Sequence, residues 1–137
     1  MMKKTFITIF ILITLYSFSS EKIVILDFAK MVLEMNGYNV VTSNSGENGL
    51  EVISKEFSNI DIVILDLMMP GLSGWETLKK IRENHTKQDL PVIIFTGNVR
   101  EKENLASNEM AEEISDFILK PVSYEDLLAR IAQAINK

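Results

Sequence analysis

The chain has 137 residues, a formal net charge of −5 and no cysteine. That length suits one domain with a single ordinary core, and a hydrophobic share of 47% against 24% charged residues excludes a disordered chain. The acidic balance argues against a nucleic-acid surface, which needs a basic stripe. The missing cysteines exclude disulfide scaffolds, thiolate metal sites and thiol nucleophiles.

At the N-terminus, Lys3-Lys4 precede an apolar run, Phe6 to Phe18, with a cleavage-site-like Ser17-Phe18-Ser19. The run is shorter than the roughly 20 residues of a membrane-spanning helix, and it reads equally well as a strand buried on both faces. From Lys22 to Asn36 the apolar residues fall on a helical face, stopped by Gly37. Tyr38 to Thr42 is a short strand, and a helix opens at Ser45-Gly46-Glu47 and runs to about Phe57. Ile60 to Leu65 is a β-branched strand stopping at Asp66, followed by loop punctuation at Pro70-Gly71 and Ser73-Gly74. Trp75 to Asn84 is helical, and Pro91 to Phe95 is a buried strand ending at Thr96. The spacing then predicts a polar loop over 97–103 and a helix over about 104–112. A strand over Asp116 to Leu119 ends at Lys120-Pro121, and a last helix starts at Ser123 and runs to about Asn136. His85, the only histidine, is expected as a solvated loop residue. Met31, Met35, Met68, Met69 and Met110 are expected as core or rim filler.

Strands alternating with helices of ten to fifteen residues imply βαβ units and a parallel sheet. In such a sheet, ligands bind outside the carboxyl ends of the strands. Three strands here end in a polar residue: Asp66, Thr96 and Lys120. Singly, each has a plain explanation as turn residue, β-former or solvated lysine. Together at one sheet edge, a carboxylate, a hydroxyl and an ammonium can hold a phosphoryl group. Asp66 would attack phosphorus, Lys120 would pair with one phosphate oxygen and Thr96 would donate to another.

Three segments carry a family resemblance: Ile62-Val63-Ile64-Leu65-Asp66-Leu67-Met68-Met69-Pro70-Gly71-Leu72-Ser73-Gly74, Val92-Ile93-Ile94-Phe95-Thr96-Gly97 and Asp116-Phe117-Ile118-Leu119-Lys120-Pro121. With their spacing, the chain from about residue 15 resembles the receiver domains of two-component response regulators. The resemblance implies a flavodoxin-like, doubly wound five-stranded parallel sheet of order 2-1-3-4-5 with about five helices. It implies Asp66 as phosphoacceptor, the Met68 backbone carbonyl in a Mg2+ shell, and Thr96 and Lys120 as phosphate sensors. It further implies Phe117 as a switching aromatic ring and a cis Lys120-Pro121 bond. Mg2+ matters because the phosphate and Asp66 are both negative; at about 4 Å and an effective dielectric near 20, each such charge pair costs about 4 kcal/mol.

The family places two acidic residues after the first strand. Ungapped counting puts Ser20 and Glu21 there, so the first strand is expected within Phe10 to Ser19, with one acid missing and Mg2+ demand raised accordingly. A competing alignment takes Ile23-Val24-Ile25-Leu26-Asp27 as the first strand but leaves a short first helix. The ungapped version is preferred because it explains the apolar N-terminus and lets Phe28, Val32 and Leu33 face the sheet. Glu113-Ile114 replaces a frequent Gly-Ala turn and two extra residues separate Thr96 from Lys120, which puts the fourth helix in question. Val122 replaces a common Phe.

The expectation is therefore a single receiver domain over 1–137, with its core over about 10–136 and residues 1–9 as an atypical extension. The last helix ends with the chain, so a stand-alone module without an output domain is expected. Partners would be a sensor histidine kinase or phosphotransfer protein and an unknown downstream protein, with no nucleic acid and no stable membrane association. Such a protein would be cytoplasmic, where its phosphodonors are, which weighs against secretion. It would be a monomer or a phosphorylation-dependent dimer, and no enzyme beyond self-phosphotransfer and autodephosphorylation. The alternative is a degenerate receiver that binds a protein without phosphorylation. An aspartyl phosphatase or dehalogenase is disfavoured because Met68 stands where a general acid would be. A flavin-binding relative is disfavoured because no Ser/Thr-rich phosphate loop follows the first strand.

Overall fold

A strand that is apolar at every position needs helices on both sides of its sheet. The computed structural model, which describes residues 7–12, 30–68 and 71–136, meets that need. Strands β1 (Ile7–Leu12), β2 (Tyr38–Ser43), β3 (Ile62–Leu65), β4 (Val92–Thr96) and β5 (Asp116–Leu119) form one sheet of order β2-β1-β3-β4-β5. All four pairings are parallel. Helices are α1, described over 30–35, then α2 (Gly46–Glu56), α3 (Gly74–Asn84), α4 (Val99–Glu103) and α5 (Tyr124–Ile135).

The period-two alternation of β3 sorts its side chains into two layers. Val63 and Leu65 pack with Ile53 of α2, Leu78 and Ile81 of α3, and Ile94 and Phe117. Ile62 and Ile64 pack with Leu33 of α1, Leu127 and Ile131 of α5, and Ile93 and Ile118. Serine side chains start three helices: Ser45, Ser73 and Ser123 accept from the backbone N–H groups of Asn48, Glu76 and Asp126. The sharp turn after α1 uses Gly37 at φ +88°.

The architecture and strand order match the expectation, and three details correct it. The first strand lies at Ile7–Leu12 rather than within Phe10 to Ser19, so residues 7–9 belong to the sheet and not to an extension. Periodicity cannot set the start of a strand within a uniformly apolar run; pairing with Tyr38–Ser43 and Ile62–Leu65 does. The predicted 104–112 helix is replaced by the short α4 and two 3-10 turns, Leu105–Ser107 and Ala111–Glu113. Asn98 caps α4 early by accepting from Arg100 N–H, and Asn108 turns the chain by accepting from Met110 N–H. His85 is the loop residue expected after α3, but half-buried rather than freely solvated: its imidazole stacks on Phe57 with ring centroids 4.0 Å apart.

The methionines also divide. Met31, Met35 and Met68 are exposed, while Met110 packs against the first layer. Val122 packs against the second layer. Among the described residues, no helix is long and apolar enough to cross a membrane.

Candidate functional site

The register brings the three strand ends to one edge. Leu65 pairs with Ile94 and Thr96 with Leu119, so Asp66 and Lys120 each stand one residue beyond the ladder, on either side of β4. Asp66 is 8% exposed. Its Oδ1 accepts from the Met68 backbone N–H at 3.0 Å, and its Oδ2 accepts from the Lys120 ammonium at 3.2 Å. A carboxylate so enclosed is held by charge-assisted bonds on both oxygens. Gly74 permits this enclosure, because a Cβ there would fall 2.6 Å from the Asp66 carbonyl oxygen.

Thr96 is fully buried at the end of β4. Its hydroxyl accepts from Asn98 N–H at 3.3 Å, and its carbonyl accepts from Lys120 N–H at 2.8 Å. The Lys120-Pro121 bond is cis, as expected. Phe117 is buried in the first core layer, with the Lys102 ammonium of α4 5.1 Å from its ring centre.

Two contacts at this edge carry no signal in the sequence. The Lys120 ammonium lies 4.7 Å from the ring centre of Phe95. On the far side of the loop after Asp66, the Glu47 carboxylate accepts from Leu72 N–H at 3.1 Å. Gly71 passes under that carboxylate at φ +72°; a Cβ there would meet Glu47 Oε1 at 3.0 Å.

At the other end of β5, away from this edge, Arg130 of α5 grips Asp116. Nε donates to Oδ2 and Nη2 to Oδ1, each at 2.7 Å. Burial pushes the Asp116 carboxyl up, but hydrogen bonds from Arg130 and Phe117 N–H outweigh it. With the charges of Arg130 and Lys102, they hold the group below the usual carboxylate range.

A hard cation such as Mg2+ takes one or two carboxylates and keeps several waters. Asp66 and the Met68 carbonyl fit that sparse share. No group of three or more acidic or histidine side chains able to hold a metal occurs among the described residues. The expected metal residues Ser20 and Glu21 lie outside the described residues. The strand observed, Ile7–Leu12, lies earlier in the chain than the strand expected before them. The competing first strand, Ile23 to Asp27, also lies outside the described residues.

The model of the response regulator receiver domain family matches residues 21–132. The chain belongs to that family. The match begins beyond β1, so the strand between β2 and β3 lies outside the matched residues. The transcriptional regulatory protein CpxR of Escherichia coli K12 is 33% identical over 108 residues, which are 79% of this chain and 43% of CpxR. The chain thus matches less than half the length of that relative. Among solved structures, a response regulator receiver domain protein from Clostridium thermocellum aligns with a TM-score of 0.76 and 31% identity, over 95% of this chain and 94% of that one. TrrA of Thermotoga maritima, a response regulator solved in complex with Mg2+ and BeF, aligns with a TM-score of 0.72 and 26% identity, over 93% of this chain and 98% of that one.

Proposed function

We propose that this receiver domain is a phosphorylation-controlled switch. In this reading Asp66 takes a phosphoryl group from a histidine kinase or phosphotransfer protein, with Mg2+. The observation that carries it is the enclosed Asp66 carboxylate with the Lys120 ammonium 3.2 Å away at the carboxyl edge of the sheet.

The chain's own residues account for the step. A carboxylate oxygen of Asp66 attacks phosphorus, the phosphorus–nitrogen bond of the donor breaks, and the donor imidazole leaves with the electron pair. Met68 N–H keeps the carboxylate oriented. Lys120 then transfers its attraction from the carboxylate to a phosphate oxygen. The Thr96 hydroxyl, which already accepts from Asn98 N–H, still carries a proton to donate to another oxygen. Asp66 and the Met68 carbonyl would hold Mg2+, which would supply positive charge to offset that of the carboxylate and phosphate.

The same reading makes the domain cytoplasmic and not an enzyme on a separate substrate. Its output passes through a downstream protein, by a change in populations of two conformations. With its acidic balance, this domain itself makes no nucleic-acid contact.

Phosphorylation by acetyl phosphate, followed by intact mass with and without Mg2+, tests the proposal. One added phosphoryl group that requires Mg2+ and disappears in Asp66→Ala is expected; a gain that survives Asp66→Ala would overturn the site. Ser20, which stands where the family resemblance expects an acid beside Glu21, favours a second reading, a receiver that binds its partner without phosphorylation. Beryllofluoride separates the two: Mg2+-dependent binding lost in Asp66→Asn supports the switch, and no binding supports the second reading.

A further inference from the structure

Strand order sets a reach problem at this edge. β4 lies between β3 and β5, so Lys120 must cross the end of β4 to touch Asp66. Adjacent strands are about 4.8 Å apart, and two such steps demand most of an extended lysine side chain. An extended lysine loses considerable rotamer freedom, and one hydrogen bond at 3.2 Å is a modest return on it.

The crossing is paved by Phe95. Its ring lies on the path, 4.7 Å from the Lys120 ammonium, and it packs against the core layer that holds Ile93 and Ile118. The ring's negative face attracts a cation regardless of the charge on Asp66. A leucine at this position would pack on the same layer and offer the ammonium nothing.

We infer that Phe95 is a positioning residue for phosphoryl transfer: it holds the Lys120 ammonium over the end of β4, beside Asp66, before and after the carboxylate is modified. The inference rests on the reading of Asp66 as phosphoacceptor. When Asp66 becomes an acyl phosphate, its carboxylate charge is lost and the phosphate oxygens carry the charge instead. The ammonium then needs only a short shift, since the ring keeps it in range.

The test replaces Phe95 with Leu, Tyr and Trp and with phenylalanines of increasing ring fluorination, which keep shape but weaken the negative face. Two quantities are read: the initial rate of phosphorylation by acetyl phosphate at saturating Mg2+, and the ring-current displacement of the Lys120 ε-methylene protons in the unmodified protein. Phe95→Leu is expected to abolish the displacement and slow phosphorylation about two- to fivefold. Tyr and Trp are expected to retain both, and fluorination to slow the reaction in graded steps with the fold unchanged. A flat fluorination series, or Phe95→Leu at the wild-type rate, overturns the inference. If the wild-type protein takes up no phosphoryl group, the proposed function fails. The proton displacement then decides by itself whether Phe95 holds Lys120: absent in the wild type, it overturns the inference too.

Discussion

Gly74 lies against Asp66 so closely that a Cβ at Gly74 would sit 2.6 Å from the Asp66 carbonyl oxygen and 2.6 Å from Leu67 Cα. Both opposing atoms are backbone, so neither can swing aside. Gly74→Ala should lower stability by about 1–3 kcal/mol despite the better helix propensity of alanine, because the end of β3 has to move. Urea unfolding measures this, and an unchanged midpoint would show that the close approach is not tight.

Arg82 ties α3 to the segments around it. Its guanidinium is almost fully buried and donates to the backbone carbonyls of Glu113, His85 and Leu90. Burial lowers its pKa and the Glu113 carboxylate opposes that, yet an arginine so placed stays charged. Arg82→Leu leaves several carbonyls without their donor and should cost about 2–4 kcal/mol. Arg82→Lys should recover only part, because an ammonium lacks the planar fork. Equal stability of both variants and the wild type would rule this role out.

Asp116 and Arg130 make stability depend on pH. The folded Asp116 carboxyl titrates below its unfolded value, so the unfolded chain binds its proton first as pH falls. The pair's contribution is thus full well above about pH 3.9 and is lost as pH drops through the lower folded value. Asp116→Asn should cost about 1–2 kcal/mol at neutral pH, a range reduced for partial exposure. The gap from wild type should close in acid. A gap that stays constant from neutral to strongly acidic pH would mean the charge is irrelevant.

Glu47 restrains the loop after Asp66 from the side opposite Lys120, through Leu72 N–H. Glu47→Ala should slow phosphorylation by acetyl phosphate a few-fold, on the order of the 0.5–1.5 kcal/mol of one hydrogen bond, with little loss of stability. Glu47→Gln keeps an acceptor oxygen and should restore much of the rate. Matching rates for the alanine variant and the wild type would show that the loop holds itself.

Much of this fold was legible because its signals are local. The apolar run Ile62–Leu65, the glycine at 37 and the serines at 45 and 123 each act within a few residues and behave in the structure as they read in the chain, while Ser73, read as loop punctuation, caps α3. The candidate site was legible for a related reason: parallel strands all end at one edge, so the residues just past them, Asp66 and Lys120, meet once the strands are recognised.

What the sequence determined by itself was the alternation of elements, the strand order carried by the family resemblance, and the chemistry at three strand ends. Tertiary structure alone decided where β1 begins, because every window of an apolar run is equally good until its neighbours choose a register. It decided that α4 is short, because Asn98 starts it early and Asn108 and Arg82 hold the segment that follows. It decided that His85 stacks on Phe57 and that Phe95 lies beside the Lys120 ammonium. These contacts join residues far apart in the chain, and side-chain directions at such distances are set by packing, which no local pattern encodes.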